Sequence, residues 1–135
     1  MVVSVRQFGQ ENIIFTADQL VAHAIGDYLL QSHWMATNKT KQNLAAAIHA
    51  LTYTLPFLFL TQAPLALAVI CGTHFLIDRF RLARFVVWLK NGATGRITAT
   101  GYPDDTPAWL SVWLLIIADN IIHVLINGLA LAYLT

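Results

Sequence analysis

Apolar residues along the chain fall into four long segments, separated by two short polar stretches and one longer one. Each segment has about the 20 residues, or more, that a membrane-spanning helix needs. The segments cover residues 12–32, 40–62, 64–90 and 106–134. The pattern therefore predicts an all-α, polytopic membrane protein, folded as a bundle of four transmembrane helices.

Proline and glycine give these segments their expected boundaries and contacts. Pro64 and Pro107 stand at the starts of the third and fourth segments, where a missing N–H is tolerated. Pro56 falls within the second segment and predicts a bend there. Residues 91–105, rich in Gly, Thr and Asp, are the one long predicted loop. Gly26, in the first segment, predicts a close approach by another helix.

The first segment carries a polar stripe on an otherwise apolar helix. The stripe consists of Thr16, Gln19, His23, Asp27 and Gln31, spaced three, four, four and four residues apart. At this spacing the side chains share one helix face. A helix lying in the membrane interface would show this pattern, and so would a spanning helix whose polar face looks into the bundle. Matching polar residues in the other segments favour the second interpretation.

Composition supports a membrane location. Of the 135 residues, 57% are hydrophobic and 11% are charged, whereas soluble domains carry about 25% charged residues. The length fits a single integral membrane domain. A net charge of +1 gives no indication of nucleic-acid binding. The lone cysteine, Cys71, excludes a disulfide scaffold, and no signal-peptide pattern is expected at the start of the chain.

Basic residues are concentrated on two of the connections. They are Lys39 and Lys41 after the first segment, and Arg79, Arg81, Arg84, Lys90 and Arg96 around the end of the third, against Arg6 on the other side. The positive-inside rule then makes the 1–2 and 3–4 connections cytoplasmic and puts both termini outside. Arg79, Arg81 and Arg84 are interpreted as interfacial anchors. Attraction of a phosphate-bearing headgroup, in which Lys39 would share, is the alternative.

Three of the segments contain a histidine and an aspartate four residues apart. The pairs are His23/Asp27, His74/Asp78 and Asp119/His123, and His49 adds a further imidazole on the second segment. Each pair stacks on one helix face. Counted from the expected cytoplasmic helix ends, these residues lie roughly 12–18 Å deep at 1.5 Å per residue. Four helices would thus direct imidazoles and carboxylates into one layer of the membrane.

Imidazole nitrogen and carboxylate oxygen are ligands of zinc, and also of Mn and Fe. A divalent metal, with zinc preferred, would offset the burial of the aspartates, which is costly in lipid. The predicted ligands are His23, Asp27, His49, His74, Asp78 and His123. Two interpretations stay open: a pair of metals, or one metal whose imidazoles are oriented by further carboxylates. A metal-free polar network or proton path is the alternative to both.

The motifs "HAIGDYLLQSHWMATNK", "HALTY", "HFLID" and "DNIIH" together resemble a family of small bacterial and phage membrane proteins classed as a domain of unknown function. The resemblance extends from about residue 18 to 125, with Asn120 where that family usually has Gln. It implies a bacterial inner-membrane location and selects the same His and Asp residues. It also implies a substrate-side group consisting of Gln31, Trp34, Asn38 and Lys39. A more distant similarity is to LexA-regulated membrane proteins, whose metal-dependent hydrolase activity is itself inferred.

The leading functional hypothesis is a metal-dependent hydrolase that acts on a membrane-embedded or lipid-linked substrate, such as a phosphoester or an amide. The metal would lower the pKa of a bound water to about 7, and Asp119 would accept its proton as the catalytic base. The rival hypothesis is a non-enzymatic phage or bacterial accessory protein. In that case the polar core would hold a homo-oligomer together or conduct ions or protons.

Overall fold

The computed structural model describes residues 12–135, and these residues form helices joined by turns and loops. Arg6, which entered the predicted orientation, lies outside the described residues. The helices are α1 (Ala17–Ala24), followed by a π-helical turn (Ile25–Leu29), α2 (His33–Asn38), α3 (Asn43–Thr54), followed by a 3-10 turn (Leu55–Phe59), α4 (Pro64–Phe80), α5 (Ala83–Lys90) and α6 (Ala108–Tyr133).

The prediction of a four-span transmembrane bundle is wrong. Among the described helices, α6 alone, with 26 residues and a mean hydropathy of 2.0, is long and apolar enough to cross a membrane. Its bounds agree with the predicted segment 106–134. The other three predicted segments are each interrupted, so that no single helix within them reaches the required length.

The third predicted segment is interrupted at Arg81, which adopts a left-handed conformation with φ 53° and ψ 48°. The backbone N–H of Leu82 donates to Ile77 O at 2.9 Å, and that of Arg81 donates to Asp78 O at 3.3 Å. These two hydrogen bonds are those of a Schellman motif, which ends a helix by satisfying its last carbonyls. Helix α4 therefore ends at Phe80, and α5 leaves in a new direction. Apolar periodicity does not show this break, because the residues on both sides are apolar.

The second predicted segment changes helix type near Pro56, as expected from that residue. The α-helix ends at Thr54, and Leu55–Phe59 form a 3-10 turn. Proline has no N–H for the regular i→i−4 hydrogen bond, so the α-helical ladder cannot continue through it unbroken. The prediction of a distortion at Pro56 is confirmed.

Helix α4 lies at the centre of the fold, packed against α3 on one side and α6 on the other. Helix α1 packs on α6, and the π-helical turn packs on α3. The apolar part of the core consists of residues such as Tyr53, Phe57 and Ile70, all of which are buried. The same interior encloses many polar side chains: Gln19, His23, Asp27, His49, His74, Asp78, His123 and Asn127. The core of this protein is therefore unusually polar.

Gly26 allows the π-helical turn to contact α3 directly. A Cβ atom at this position would lie 2.6 Å from Tyr53 Cδ2 and 2.9 Å from Tyr53 O, distances that no side chain tolerates. The prediction that Gly26 permits close helix approach is confirmed. This contact brings the neighbouring Asp27 against α3.

Helix α6 leaves most of its apolar surface uncovered. Only 22% of its most apolar 18-residue window is buried, whereas the core helix of a soluble protein is largely covered. Large apolar side chains that remain exposed along it include Trp109, Trp113, Ile117, Ile121 and Tyr133. The helix is roughly 39 Å long at 1.5 Å per residue, more than the thickness of a hydrocarbon core of about 30 Å.

Candidate metal centre

Four buried residues from three elements form the centre of the polar interior. Asp27 comes from the π-helical turn, His49 from α3, and His74 and Asp78 from adjacent turns of α4. The π-helical turn is defined by Leu30 N–H donating to Ile25 O at 2.9 Å. Such turns widen the helix and often occur at functional sites. In this protein the π-helical turn contains Asp27, which lies against His49. We call these four residues the tetrad.

The donor atoms of the tetrad are close together. His49 Nε2 lies 3.1 Å from Asp27 Oδ1, 3.1 Å from Asp78 Oδ2 and 2.9 Å from His74 Nε2. His74 Nε2 lies 3.5 Å from Asp27 Oδ1 and 3.2 Å from Asp78 Oδ2. A tetrahedral zinc ion with bonds of about 2.0–2.2 Å has ligands separated by roughly 3.3–3.6 Å. The tetrad thus has the dimensions of a tetrahedral metal site, slightly contracted.

Hydrogen bonds alone do not satisfy this arrangement. His49 Nε2 and His74 Nε2 face each other at 2.9 Å, and each neutral ring nitrogen either carries one proton or accepts one. Neither nitrogen is able to donate to both nearby carboxylates at once. Nδ1 of both rings has no hydrogen-bond partner among residues 12–135, so no outer contact selects the tautomer. A cation at the centre of the tetrad would satisfy all four inward-facing atoms together.

The pKa values of the tetrad residues shift in different directions. Burial acts to lower the pKa of His49, but its hydrogen bonds to the carboxylates of Asp27 and Asp78 raise it above its usual value. Burial lowers the pKa of His74 to about 4, so its imidazole is neutral near pH 7, as a metal ligand must be. Burial acts to raise the pKa of Asp78, but the imidazoles of His123, His49 and His74 beside it hold the pKa well below its usual range. The central carboxylate is therefore ionised in the folded protein.

A second group of potential ligands shares Asp78. His123 Nε2 lies 3.3 Å from Asp78 Oδ1 and 3.5 Å from Asp119 Oδ2, and the three side chains together meet the spacing of a metal site. His123 is buried, and Asp119 is partly exposed, as its side chain retains 31% of its accessible surface. Both come from α6. The predicted pairs His74/Asp78 and Asp119/His123 thus meet at Asp78.

His23 lies beside these groups, but its two ring nitrogens form hydrogen bonds with other residues. Its Nε2 donates to Asn120 Oδ1 at 2.6 Å, which leaves Nδ1 to accept a hydrogen bond from Tyr53 Oη at 2.8 Å. Asn127 in turn donates to Tyr53 Oη. Both ring nitrogens of His23 are therefore used, although Nδ1 also lies 3.7 Å from Asp27 Oδ2. The structure does not bring His23 into the tetrad or into the second group.

Tyr53 is a site residue that sequence reasoning did not select. Its ring stacks on His74 with 3.6 Å between centroids and 13° between planes, and its hydroxyl connects His23 to Asn127. The sequence signal was available, because Tyr53 follows His49 by four residues and so shares its helix face. An aromatic residue in an apolar helix is ordinarily interpreted as core packing, which conceals this role.

The four predicted substrate-side residues have different positions. Lys39 reaches the tetrad: its Nζ lies 2.7 Å from Asp78 Oδ2 and 3.3 Å from His49 Nε2. Gln31 lies at the edge of the adjoining cavity. Asn38 donates to Trp34 O within α2, at 2.9 Å, and Trp34 is exposed on the surface. Of the four, Lys39 and Gln31 border the site, and Trp34 and Asn38 do not line the cavity.

A cavity of about 320 Å³ opens beside both groups. Asp27, Asp78 and Asp119 border it. The cationic residues of its lining are Lys39, Arg81 and Arg84, and apolar residues including Ile77, Leu115 and Ile116 complete the lining. The break at Arg81, which ends α4, is what places Arg81 and Arg84 beside this cavity. The cavity therefore combines carboxylates, cations and an apolar surface within a small volume.

Over residues 12–135, the fold and site define a small all-helical protein with a polar His/Asp core and one helix long and apolar enough to span a membrane. Residues 14–102, about two thirds of the chain, match the family described as "Protein of unknown function (DUF3307)", and the chain belongs to that family. The matched region contains the whole tetrad, whereas Asp119 and His123 lie beyond it. Neither curated proteins nor solved structures gave a match, so the expected similarity to LexA-regulated hydrolases finds no support there.

Proposed function

We propose that this protein is a metal-dependent hydrolase with a divalent ion, zinc by preference, bound by the tetrad. The observation that carries the proposal is the convergence of two imidazole nitrogens and two carboxylate oxygens, most of them 2.9–3.5 Å apart, in a buried site. Buried carboxylates are costly unless they are paired or bind a metal. Among residues 12–135, Lys39 is the one lysine or arginine within ion-pair distance of the tetrad, and it offsets the charge of only one of the two carboxylates.

The chemistry follows from the position of the tetrad beside the cavity. A bound divalent ion would lower the pKa of a coordinated water to about 7 and polarise the scissile group. Asp119 borders the same cavity and is partly exposed. It would accept the proton of the water as general base, a role that requires reach within hydrogen-bond distance of the substrate.

A membrane-embedded or lipid-linked substrate is supported by the surface around the site. Helix α6 contributes Leu115, Ile116 and Asp119 to the cavity wall and exposes its other apolar face. We propose that α6 lies in the bilayer of a bacterial inner membrane, so that the cavity is reached from the lipid. The apolar wall would then accept a lipid chain, and Lys39, Arg81 and Arg84 would bind an anionic group such as a phosphoester.

The proposal is tested by elemental analysis of the chain purified in detergent or nanodiscs. The wild-type chain is expected to carry a stoichiometric divalent metal, and His74→Ala is expected to lose it. His33→Ala is the matched control, because His33 is exposed on α2 and outside the tetrad. The same preparations are then assayed for hydrolysis of phospholipids and lipid-linked phosphoesters. Absence of metal from the folded wild-type chain would overturn the proposal.

A non-enzymatic role is the second candidate, and the Lys39–Asp78 contact at 2.7 Å favours it. A lysine in that position makes a metal-free ion-pair network feasible, which would serve to hold helices or homo-oligomers together, or to conduct ions or protons. In liposomes, this candidate predicts an ion or proton leak that Asp78→Asn abolishes, with no metal bound. If a structural network is the whole role, the same substitution lowers thermal stability and changes no flux.

A further inference from the structure

We propose that the protein binds two metal ions rather than one, with Asp78 as the bridging ligand between the tetrad and a second site formed by Asp78, Asp119 and His123. This inference rests on the proposed function of the tetrad. It chooses between the one-metal and two-metal interpretations that the sequence leaves open.

The orientation of Asp78 is the first argument. Its Oδ2 faces the tetrad, 3.1 Å from His49 Nε2 and 3.2 Å from His74 Nε2, whereas its Oδ1 faces His123 Nε2 at 3.3 Å. One carboxylate thus directs its two oxygens to two different ligand groups. Two-metal hydrolytic sites hold their ions about 3.5–4 Å apart, a separation that a bridging carboxylate can span.

The geometry of the second group is the next argument. His123 Nε2 lies 3.3 Å from Asp78 Oδ1 and 3.5 Å from Asp119 Oδ2, close to the roughly 3.3–3.6 Å between ligands of a tetrahedral zinc ion. Among residues 12–135, His123 is the one side chain within ion-pair distance of the Asp119 carboxylate. That carboxylate is thus held near His123, and no lysine or arginine of residues 12–135 lies within ion-pair distance of it.

Accessibility distinguishes the two sites. The tetrad offers four protein ligands, all of them buried, and two of them, Asp27 and Asp78, border the cavity. The second group offers three ligands, and Asp119 borders the cavity. Structural zinc sites have four protein ligands, while catalytic ones keep a position open for water or substrate. When both sites are filled, the reactive water would therefore be held by the second ion rather than by the ion of the tetrad. One oxygen of Asp119 suffices as its ligand, and the other stays available to accept a proton.

Charge balance then indicates the class of substrate. The carboxylates of Asp27, Asp78 and Asp119 carry three negative charges. Lys39, the one lysine or arginine among residues 12–135 within ion-pair distance of these carboxylates, returns one positive charge. One divalent ion would make the site neutral, and a second would leave an excess of two positive charges. A hydroxide and a phosphodiester, with one negative charge each, would neutralise that excess. The second ion is therefore expected to bind together with an anionic ligand, at the cavity that Arg81 and Arg84 also border.

The test is a titration of the metal-free, full-length chain with Mn²⁺ in the presence of inorganic phosphate, followed by electron paramagnetic resonance and elemental analysis. Two Mn²⁺ per chain with an exchange-coupled spectrum are expected. Asp119→Asn and His123→Gln are each expected to reduce this to one Mn²⁺ with an uncoupled six-line spectrum. Asp105→Asn removes an equal charge at an exposed position and should retain both ions.

The outcomes separate the two proposals. A single uncoupled Mn²⁺ in the wild-type chain overturns the second site and leaves the hydrolase proposal standing. A folded wild-type chain that binds neither Mn²⁺ nor Zn²⁺ overturns both. Since the wild-type spectrum alone decides between one ion and two, the result does not depend on whether either variant folds. Circular dichroism shows whether each variant is folded, and metal stoichiometries are compared only between folded chains.

Discussion

The ammonium group of Lys39 lies 2.7 Å from Asp78 Oδ2, and both side chains are largely shielded from solvent. Lys39 Nζ also lies 3.3 Å from His49 Nε2. A cation of the protein thus contacts two of the four tetrad ligands, on the side from which the cavity reaches them. Lys39 would compete with a metal for this position, and it would bind an anionic substrate once a metal is present.

Lys39→Met is expected to tighten metal binding by at least about tenfold. Two like unit charges 4 Å apart repel by about 4 kcal/mol at an effective dielectric constant near 20, and the substitution removes that repulsion. Zinc affinity is measured by competition with a chromogenic chelator. Lys41→Met is the matched control, because Lys41 is exposed outside the site. A destabilised variant that binds no zinc would instead favour the metal-free ion-pair network.

Tyr53→Phe is expected to lower the free energy of unfolding by about 1–3 kcal/mol. The substitution removes the hydroxyl that donates to His23 and accepts from Asn127, and a buried polar group left without a partner costs that much. Thermal unfolding of the detergent-solubilised chain measures the change. Metal content should stay as in the wild type, since Tyr53 is not a ligand. Loss of metal together with unchanged stability would contradict the assigned role.

Gly26→Ala and Gly72→Ala are expected to change stability in opposite directions. A Cβ at position 26 would meet Tyr53 at 2.6 Å, whereas one at position 72 has nothing within 4 Å. Overpacking costs about 1–3 kcal/mol, and replacing a helical glycine with alanine in open space gains about 0.5–1 kcal/mol. Paired thermal-unfolding curves test the difference. Equal effects at the two positions would show that the contact between Gly26 and α3 is not tight.

Arg84→Met is expected to weaken phosphate binding by roughly tenfold to a hundredfold, since a hydrogen bond to a charged group contributes about 1.5–3 kcal/mol. Arg84 borders the cavity, and its Nε has no hydrogen-bond partner among residues 12–135. Broadening of the phosphorus resonance of inorganic phosphate by the Mn²⁺-loaded chain measures the affinity. Arg96→Met, at an exposed surface arginine, serves as control. Equal affinities in both variants would remove Arg84 from the binding site.

Ile121→Arg is expected to reduce insertion of α6 into membranes. Ile121 is 61% exposed on α6, and an arginine near the centre of a spanning helix costs about 2.5–3.5 kcal/mol. A glycosylation reporter fused after α6 measures the inserted fraction. Leu89→Arg, at an exposed position on α5, should insert like the wild type. If Ile121→Arg inserts normally, α6 does not span the bilayer.

The sequence by itself determined the features that depend on neighbours along the chain. Apolar length predicted α6 almost to its ends, because a long apolar helix without a break satisfies its own backbone. Spacing by four residues predicted that His74 and Asp78 share a face, and likewise Asp119 and His123, since helix geometry sets that relation. The distortion at Pro56 and the close approach at Gly26 were predicted from the residue types alone, because proline lacks an N–H and glycine lacks a Cβ.

Only the tertiary structure decided which of these residues meet. His23 and Asn120 are 97 positions apart, and their hydrogen bond, with that from Tyr53, occupies the ring that the sequence assigned to a metal. The π-helical turn that contains Asp27 and the left-handed Arg81 that ends α4 leave the apolar pattern unchanged. The pattern therefore predicted four spans, whereas α6 alone among the described helices is long and apolar enough to span a membrane. Contacts between segments that are distant in sequence stabilise such local conformations, and the apolar periodicity of the chain does not predict those contacts.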